Sequence, residues 1–411
     1  MNFWFPFLSI VQPGALWIDI APYRPSIVLG VAALLVGLRR HCEYPRKDAF
    51  RHPLYRYIWF FLIAQVLSVR YGGLGAMVDE IVAWIGFLTF PLVALALLTD
   101  VNSVRKFVWG MIAGGIFIAV YGIYALIFHV GFAAVGRAGA YGMYENHNDY
   151  TFIIHQIVPF VYIYSRFETS TWKRMFLYVS LVICVLGILL SLSRGGILAL
   201  LLEGLLIIVF AMTNPRRWLL IPVLAIVGAG AIGYQWAKRA ENSTTYTAAD
   251  AESSRYELWR AAQNMIVAKP LLGVGSRRFP EYSREYGELS HDNIGKNSHN
   301  TFLEILATSG FLGFIPFILL SWGVIREMRV RPPPNTPEII EATGKAVLIA
   351  YVTVLFRGMF DAKTYDWSYY TLAVLAIGCV MLRGTGEEEA VEATYTPPPY
   401  PIRTAGTGYG R

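Results

Sequence analysis

The sequence predicts an all-α integral membrane protein: a polytopic bundle of about twelve transmembrane helices with one long helical loop outside the bilayer. Three observations lead there. Of the 411 residues, 55% are hydrophobic and only 15% charged, with mean hydropathy +0.46, whereas soluble domains average about 25% charged residues. Uncharged runs able to cross a hydrocarbon core of about 30 Å recur along the chain. The polar residues gather in one long interval, 237–299, and in a tail.

Taken in order, the spans are 3–20, 25–38, 54–69, 79–98, 107–129, 149–165, 175–191, 195–212, 218–236, 300–325, 346–360 and 368–382. The first two and the last two are short enough to be re-entrant or tilted. The chain opens directly into Phe3–Ile20 with no basic leader and no small-residue cleavage site. It therefore reads as a retained first span rather than a removed signal peptide.

Orientation follows from the basic residues in the links. One alternate set holds Arg39, Arg40, Arg46, Lys47, Arg51, Arg105, Lys106, Arg166, Lys173, Arg174, Arg216, Arg217, Arg326, Arg329 and Arg331. The other holds Arg24, Arg70, Arg137, Arg194 and Lys363. The richer side is expected to be cytoplasmic, which puts both termini inside and 237–299 outside. That interval carries nine basic and eight acidic residues, so the formal charge of +7 belongs to topology, and a nucleic-acid partner loses its support. The chain divides into helices one to nine (1–236), an outer loop (237–299), helices ten to twelve (300–383) and a tail (384–411). The tail, with Glu387-Glu388-Glu389 and Pro397-Pro398-Pro399, has too little apolar content to fold and is expected to be disordered. Cys42, Cys184 and Cys379 are scattered, with neither metal nor disulfide spacing.

The outer loop is where chemistry is expected. Ser254-x-x-Glu257 has the form of a capping box, followed by an apolar stripe at Leu258, Trp259, Ala262, Met265 and Ile266. Lys269-Pro270 ends that amphipathic helix, and Gly273 and Gly275 permit a tight turn. Arg255 would lie in its first turn, where free N–H groups and a guanidinium fork suit an anion. Pairing with Glu252 or Glu257 is the plain alternative. Arg194, in Ser191-Leu192-Ser193-Arg194-Gly195-Gly196, stands on the outer side against the basic bias; a snorkelling helix-end arginine is its alternative. His299 precedes an apolar run that Ser298 or Asn297 could cap. In the first turn of that helix it would be neutral and able to accept a proton, or would serve merely as an interfacial side chain.

Gly142–Asp149 forms a second outward cluster, suited to a sugar-contacting or gating loop, in which Asn148 is a candidate substrate contact. No His/Asp pair there has metal-ligand spacing, so no metal is expected. His155 and Glu203, within apolar runs, read as structural pairing. Asp361, after Arg357, is a candidate orienting acid.

Together, Ser191–Gly196, the stretch Ser254-Arg255-Tyr256-Glu257-Leu258-Trp259 leading to Pro270-Leu271-Leu272-Gly273-Val274-Gly275, and Ser298-His299-Asn300-Thr301-Phe302-Leu303 through Gly310-Phe311-Leu312-Gly313 resemble the O-antigen ligase/polymerase superfamily, over roughly 140–325. The resemblance implies a GT-C-like, metal-independent membrane glycosyltransferase with no cofactor. Such an enzyme would work at the periplasmic face of the bacterial inner membrane. It would move a glycan from an undecaprenyl-diphosphate carrier to an acceptor hydroxyl, lipid A-core for a ligase or another repeat unit for a polymerase. It also implies that Arg194 and Arg255 bind the donor diphosphate, that His299 activates the acceptor, and that Asn300 contacts substrate. A polysaccharide or lipid-carrier transporter, expected to show internal repeats and mid-membrane charges, and a non-enzymatic assembly protein are the competing classes.

Overall fold

The computed structural model describes residues 1–16, 25–43, 47–131, 136–242, 248–364 and 366–384. Among them helix is the only regular structure. The α-helices are α1 (Trp4–Val11), α2 (Pro13–Leu16), α3 (Pro25–Glu43), α4 (Lys47–Arg51), α5 (Pro53–Ser68), α6 (Gly73–Leu97), α7 (Val101–Ile127), α8 (His147–Phe167), α9 (Thr171–Leu190), α10 (Arg194–Phe210), α11 (Leu220–Asn242), α12 (Ala248–Ala268), α13 (Phe279–Tyr286), α14 (Thr301–Arg329), α15 (Glu338–Gly358) and α16 (Trp367–Met381).

Six stretches among the described residues are long and apolar enough to cross a membrane: Gly73–Leu97, Val101–Ile127, Thr171–Leu190, Pro215–Tyr234, Thr301–Arg329 and Glu338–Gly358. Their outward faces are apolar and uncovered: Val179, Val182 and Leu186 on α9, and Val223, Ile226 and Val227 on α11, are all exposed. Water would not tolerate so much contiguous apolar surface; a bilayer does. The protein is an all-helical membrane protein.

The expected first span departs from a continuous helix. Gln12 takes a left-handed φ of 49°, which breaks the segment into α1 and α2, and residues 17–20 lie outside the described residues. The short α1 packs on α7 at Gly110 and Gly114, where a Cβ would meet the backbone oxygens of Phe3 and Phe7 at 2.2 and 3.2 Å. The tail from residue 385 on also lies outside the described residues.

The centre of the bundle is α15, in contact with α8, α10, α14 and α16. Residues Ser368–Cys379 of α16 are buried without interruption, so hydrophobicity all round that helix reflects an interior position. The polar interval folds back onto this bundle. Leu258, Ala262 and Met265 of α12 bury against Val274, Phe279 and Ala307, so the expected stripe faces α13, the 270–275 turn and α14.

That turn is stitched into a break in α14. Gly310 has φ 60° and ψ −163°, a conformation open essentially to glycine alone. Here the neighbouring strand of chain supplies the missing partners: Phe311 N donates to Pro270 O (2.8 Å), Val274 N to Ala307 O (2.9 Å) and Gly275 N to Thr308 O (2.9 Å). Ser276 N donates to Ser68 Oγ (2.8 Å) and Gln65 Nε2 to Ser309 Oγ (3.0 Å), tying the turn to α5. A Cβ on Gly310 would stand 2.4 Å from the Leu271 carbonyl. Gly310→Ala should therefore cost about 2–4 kcal/mol of stability, read as a lower melting temperature in detergent. Gly230→Ala, where a Cβ meets nothing within 4 Å, should not lower it.

Candidate functional site

Four segments far apart in sequence converge at one end of the bundle. The turn before α10 carries a left-handed Leu192 (φ 51°). It is clamped by Arg137, whose Nε donates to Ser191 O (3.0 Å) and whose Nη2 donates to Leu192 O (3.1 Å). Ser193 then caps α10, its Oγ accepting from Gly196 N at 3.2 Å, and donates to Asn148 Oδ1 at 2.8 Å. Arg194 thus starts the helix with a fixed root. Asn148 sits at the start of α8, which Asn146 caps. α12 contributes Arg255 and the end of α15 contributes Arg357.

These residues line one small, partly open pocket: Arg137, Asn148, Ser193, Arg194, Gly195, Arg255, Arg357 and Phe360. Four guanidinium groups face a shared volume, and among the described residues neither Arg194 nor Arg255 forms an ion pair. Partial burial lowers the Arg255 pKa, the Arg194 charge lowers it further, and Asp361 opposes the shift. A pocket whose cations repel one another is complementary to an anion.

His299 is linked to this pocket through Asp361, which faces both His299 and the pocket-lining Arg357. It holds a left-handed φ of 53° in a turn pinned from three sides. Ser298 N donates to Glu304 Oε2 (2.9 Å), Trp259 Nε1 donates to Ser298 O (3.0 Å), and Ser298 Oγ donates to Asn300 O (3.0 Å). The ring's Nδ1 faces Asp361 Oδ1 at 3.5 Å and is buried, whereas the side chain is 29% exposed overall. The exposed part of the ring therefore lies on the side away from Asp361, where Nε2 is.

Asp361 is held in turn. Ala362 N donates to its Oδ1 at 3.0 Å and Thr301 Oγ1 to its carbonyl at 2.8 Å. Its Oδ2 stands 3.6 Å from Lys363 Nζ and 3.9 Å from Arg357 Nη2. Lys363 also pairs with Asp149. Burial lowers the Lys363 ammonium to about 8, against an upward pull from Asp366. The sign follows directly. Because the folded pKa lies below the unfolded one, the cost of burying the charge is present in full below about pH 8. It fades as pH rises from there toward the unfolded value near 10.4. The Lys363 charge that braces Asp361 is itself lost around pH 8. Turnover should fall above about pH 8, and Lys363→Arg should move that alkaline limb upward; an unmoved limb would assign it elsewhere.

Arg194, Arg255 and Asn148 thus share a pocket, and Asp361 links His299 to it. Three expectations need correction. α12 begins at Ala248, so Ser254 does not cap it and Arg255 is interior rather than in the first turn. Glu257 instead accepts from Ser290 N (2.9 Å), Ser290 Oγ (2.8 Å) and Asn293 Nδ2 (2.7 Å), which lower its pKa, the Ser290 N–H most; it does not pair with Arg255. The α14 cap is Asn300, its Oδ1 accepting from Phe302 N (3.0 Å) and Leu303 N (3.1 Å). His299 therefore precedes the helix instead of occupying its first turn, and the Asn300 carbonyl group is committed to capping. His155 and Glu203 do pair structurally, Nδ1 to Oε2 at 3.0 Å, with Nε2 on Gly196 O at 3.1 Å.

Sequence reasoning missed Arg137, Ser193, Arg357 and the Lys363–Asp149 pair as site components. A signal was present: of the five basic residues on the sparse side, Arg137, Arg194 and Lys363 all belong to the site. Arg24 lies outside the described residues, and Arg70 lies in the α5–α6 link.

Fold and site define a polytopic helical membrane protein with an arginine-lined pocket beside a histidine–aspartate pair. Residues 179–318 match the family model described as O-antigen ligase, which supports the superfamily resemblance carried by the three motifs. The match supports membrane glycan processing of the O-antigen ligase or polymerase type. It takes in Arg194, Arg255 and His299 and ends before Arg357 and Asp361. No curated protein matches the chain.

Proposed function

We propose that the protein is a membrane glycosyltransferase. It transfers a glycan from an undecaprenyl-diphosphate carrier to an acceptor hydroxyl at the periplasmic face of the inner membrane, in the manner of an O-antigen ligase. The convergence of Arg194 and Arg255 in one pocket, linked to His299 through Asp361, carries this reading. Breaking the bond between the sugar's anomeric carbon and the phosphate oxygen leaves the electron pair on the diphosphate. Two guanidinium forks stabilise that charge by bidentate hydrogen bonds. The acceptor oxygen forms the new bond to the anomeric carbon and gives its proton to His299 Nε2. The resulting imidazolium donates from Nδ1 toward Asp361, which favours the protonated ring. Asn148, already anchored to Ser193, contacts the donor near its diphosphate. Asn300 serves as the helix cap that fixes the His299 turn. The outer loop, both cytoplasmic termini and the twelve-span topology belong to the same reading.

The test is product analysis with the purified protein, an undecaprenyl-diphosphate-linked glycan and candidate acceptors. A single shifted band on lipid A-core is the expected ligase product. A ladder of lipid-linked repeats would make the protein a polymerase. No transfer to any acceptor, with carrier moved across vesicles instead, would replace the enzyme with a transporter.

A further inference from the structure

Arg357 is fully buried, 0% exposed, yet its surroundings do not balance its charge. Nη2 makes only long contacts to neutral oxygens: Asn148 O at 3.3 Å, Ser193 Oγ at 3.4 Å and Thr151 Oγ1 at 3.5 Å. Its Nε is buried with no hydrogen-bond partner. The carboxylate beside it is Asp361 at 3.9 Å, which also faces His299 at 3.5 Å and Lys363 at 3.6 Å. Lys363 has Asp149 as a second partner, but Arg357 has only its share of Asp361, at the long distance of 3.9 Å, and a buried guanidinium is stable only with an anion close by. Arg357 lines the same pocket as Arg194 and Arg255. Gly195 leaves room for it and for Phe360, since a Cβ there would stand 3.0 Å from Phe360 Cβ and 3.1 Å from Arg357 Nη1.

We propose that Arg357 is the inner arm of the diphosphate site, completing with Arg194 and Arg255 a three-guanidinium cradle, and that it links occupancy of that cradle to the Asp361–His299 pair. The inference rests on the donor reading above. With the cradle empty, Arg357 and Lys363 both draw on Asp361. A diphosphate meets the charge of Arg357, and more of the Asp361 charge is then available to His299 at the stage when acceptor activation is required. Arg357 is thus a binding residue toward the donor and a positioning residue toward the base.

The experiment measures binding of inorganic pyrophosphate, and of inorganic phosphate as comparison, to the purified full chain in detergent by calorimetry. The variants are Arg357→Gln, Arg357→Lys and Gly195→Ala, with Arg105→Gln at the other end of the bundle as control. Pyrophosphate should bind the parent and the control alike, and at least tenfold more weakly to each of the three site variants. In transfer assays the variants should raise KM for the lipid-linked donor with the acceptor KM unchanged, a split that mere misfolding would not give. Should Arg357→Gln fail to fold by its melting curve, Arg357→Lys and Gly195→Ala decide. Equal pyrophosphate affinity in folded variants and parent would overturn the role of Arg357 while leaving Arg194 and Arg255 in place. Phosphate binding as tightly as pyrophosphate would overturn the diphosphate assignment. A parent that binds neither pyrophosphate nor lipid-linked donor would remove the donor reading, and this inference with it.

Discussion

Arg255→Lys should lower kcat/KM for glycan transfer by about a hundredfold or more, although the charge is retained. The reason is geometric. Lysine is a compact point charge, whereas a guanidinium presents a planar fork that binds two phosphate oxygens at once. Removing one preorganised donor to a developing oxyanion typically costs about 10²–10³ in rate. Arg255 reaches the pocket from the interior of α12, with Glu257 two residues on engaged by Ser290 and Asn293, so its fork is left to the pocket. A lysine variant with parental activity would mean that the pocket supplies only general electrostatic attraction, or that it is not where the donor binds.

His299→Ala should have the other large effect, a loss of about 10²–10⁴ in transfer, the range for a general base. The position is unusual for a histidine that merely fills space. Its backbone is left-handed, its turn is held by Glu304 and Trp259, and its buried Nδ1 stands 3.5 Å from Asp361 Oδ1. Such fixation of a non-glycine residue in a sparsely populated conformation is costly and clusters at functional sites. Amounts of protein in the membrane should equal those of the parent. An assembly protein without chemistry of its own would keep its function in both variants.

The sequence made the membrane class, the all-helical content and the three motif residues legible, because each is written locally: apolar run length, charge sparsity, and short runs around Arg194, Arg255 and His299. Asp361 was legible only as an acid near the outer end of a span. Arg357 was not, because an arginine near the end of an apolar segment reads the same whether it snorkels or lines a pocket. What distinguishes the two is contact with Asn148 and Ser193, 209 and 164 residues away.

The start of α12 was misread for a different reason. Ser254-x-x-Glu257 fits a capping box, but Ala248, Ala249 and Ala251 favour continuing the helix toward the N-terminus, and Ser290 and Asn293 claim the Glu257 carboxylate that the box would need. The break in α14 was equally hidden. Gly310 inside an apolar run reads as a tolerated helix glycine until the 270–275 turn is laid beside it and supplies the displaced backbone partners. The first span failed at Gln12, whose left-handed conformation no local pattern announces.

In the proposed mechanism one site divides its labour, arginines for the donor and histidine for the acceptor. The most direct measurement is lipid-linked donor binding and glycan transfer determined side by side for the parent, Arg255→Lys and His299→Ala in nanodiscs. Arg255→Lys should weaken donor binding together with transfer. His299→Ala should bind donor within about twofold of the parent and fail to transfer it. Donor binding lost equally in both variants, or transfer preserved in His299→Ala, would contradict that mechanism.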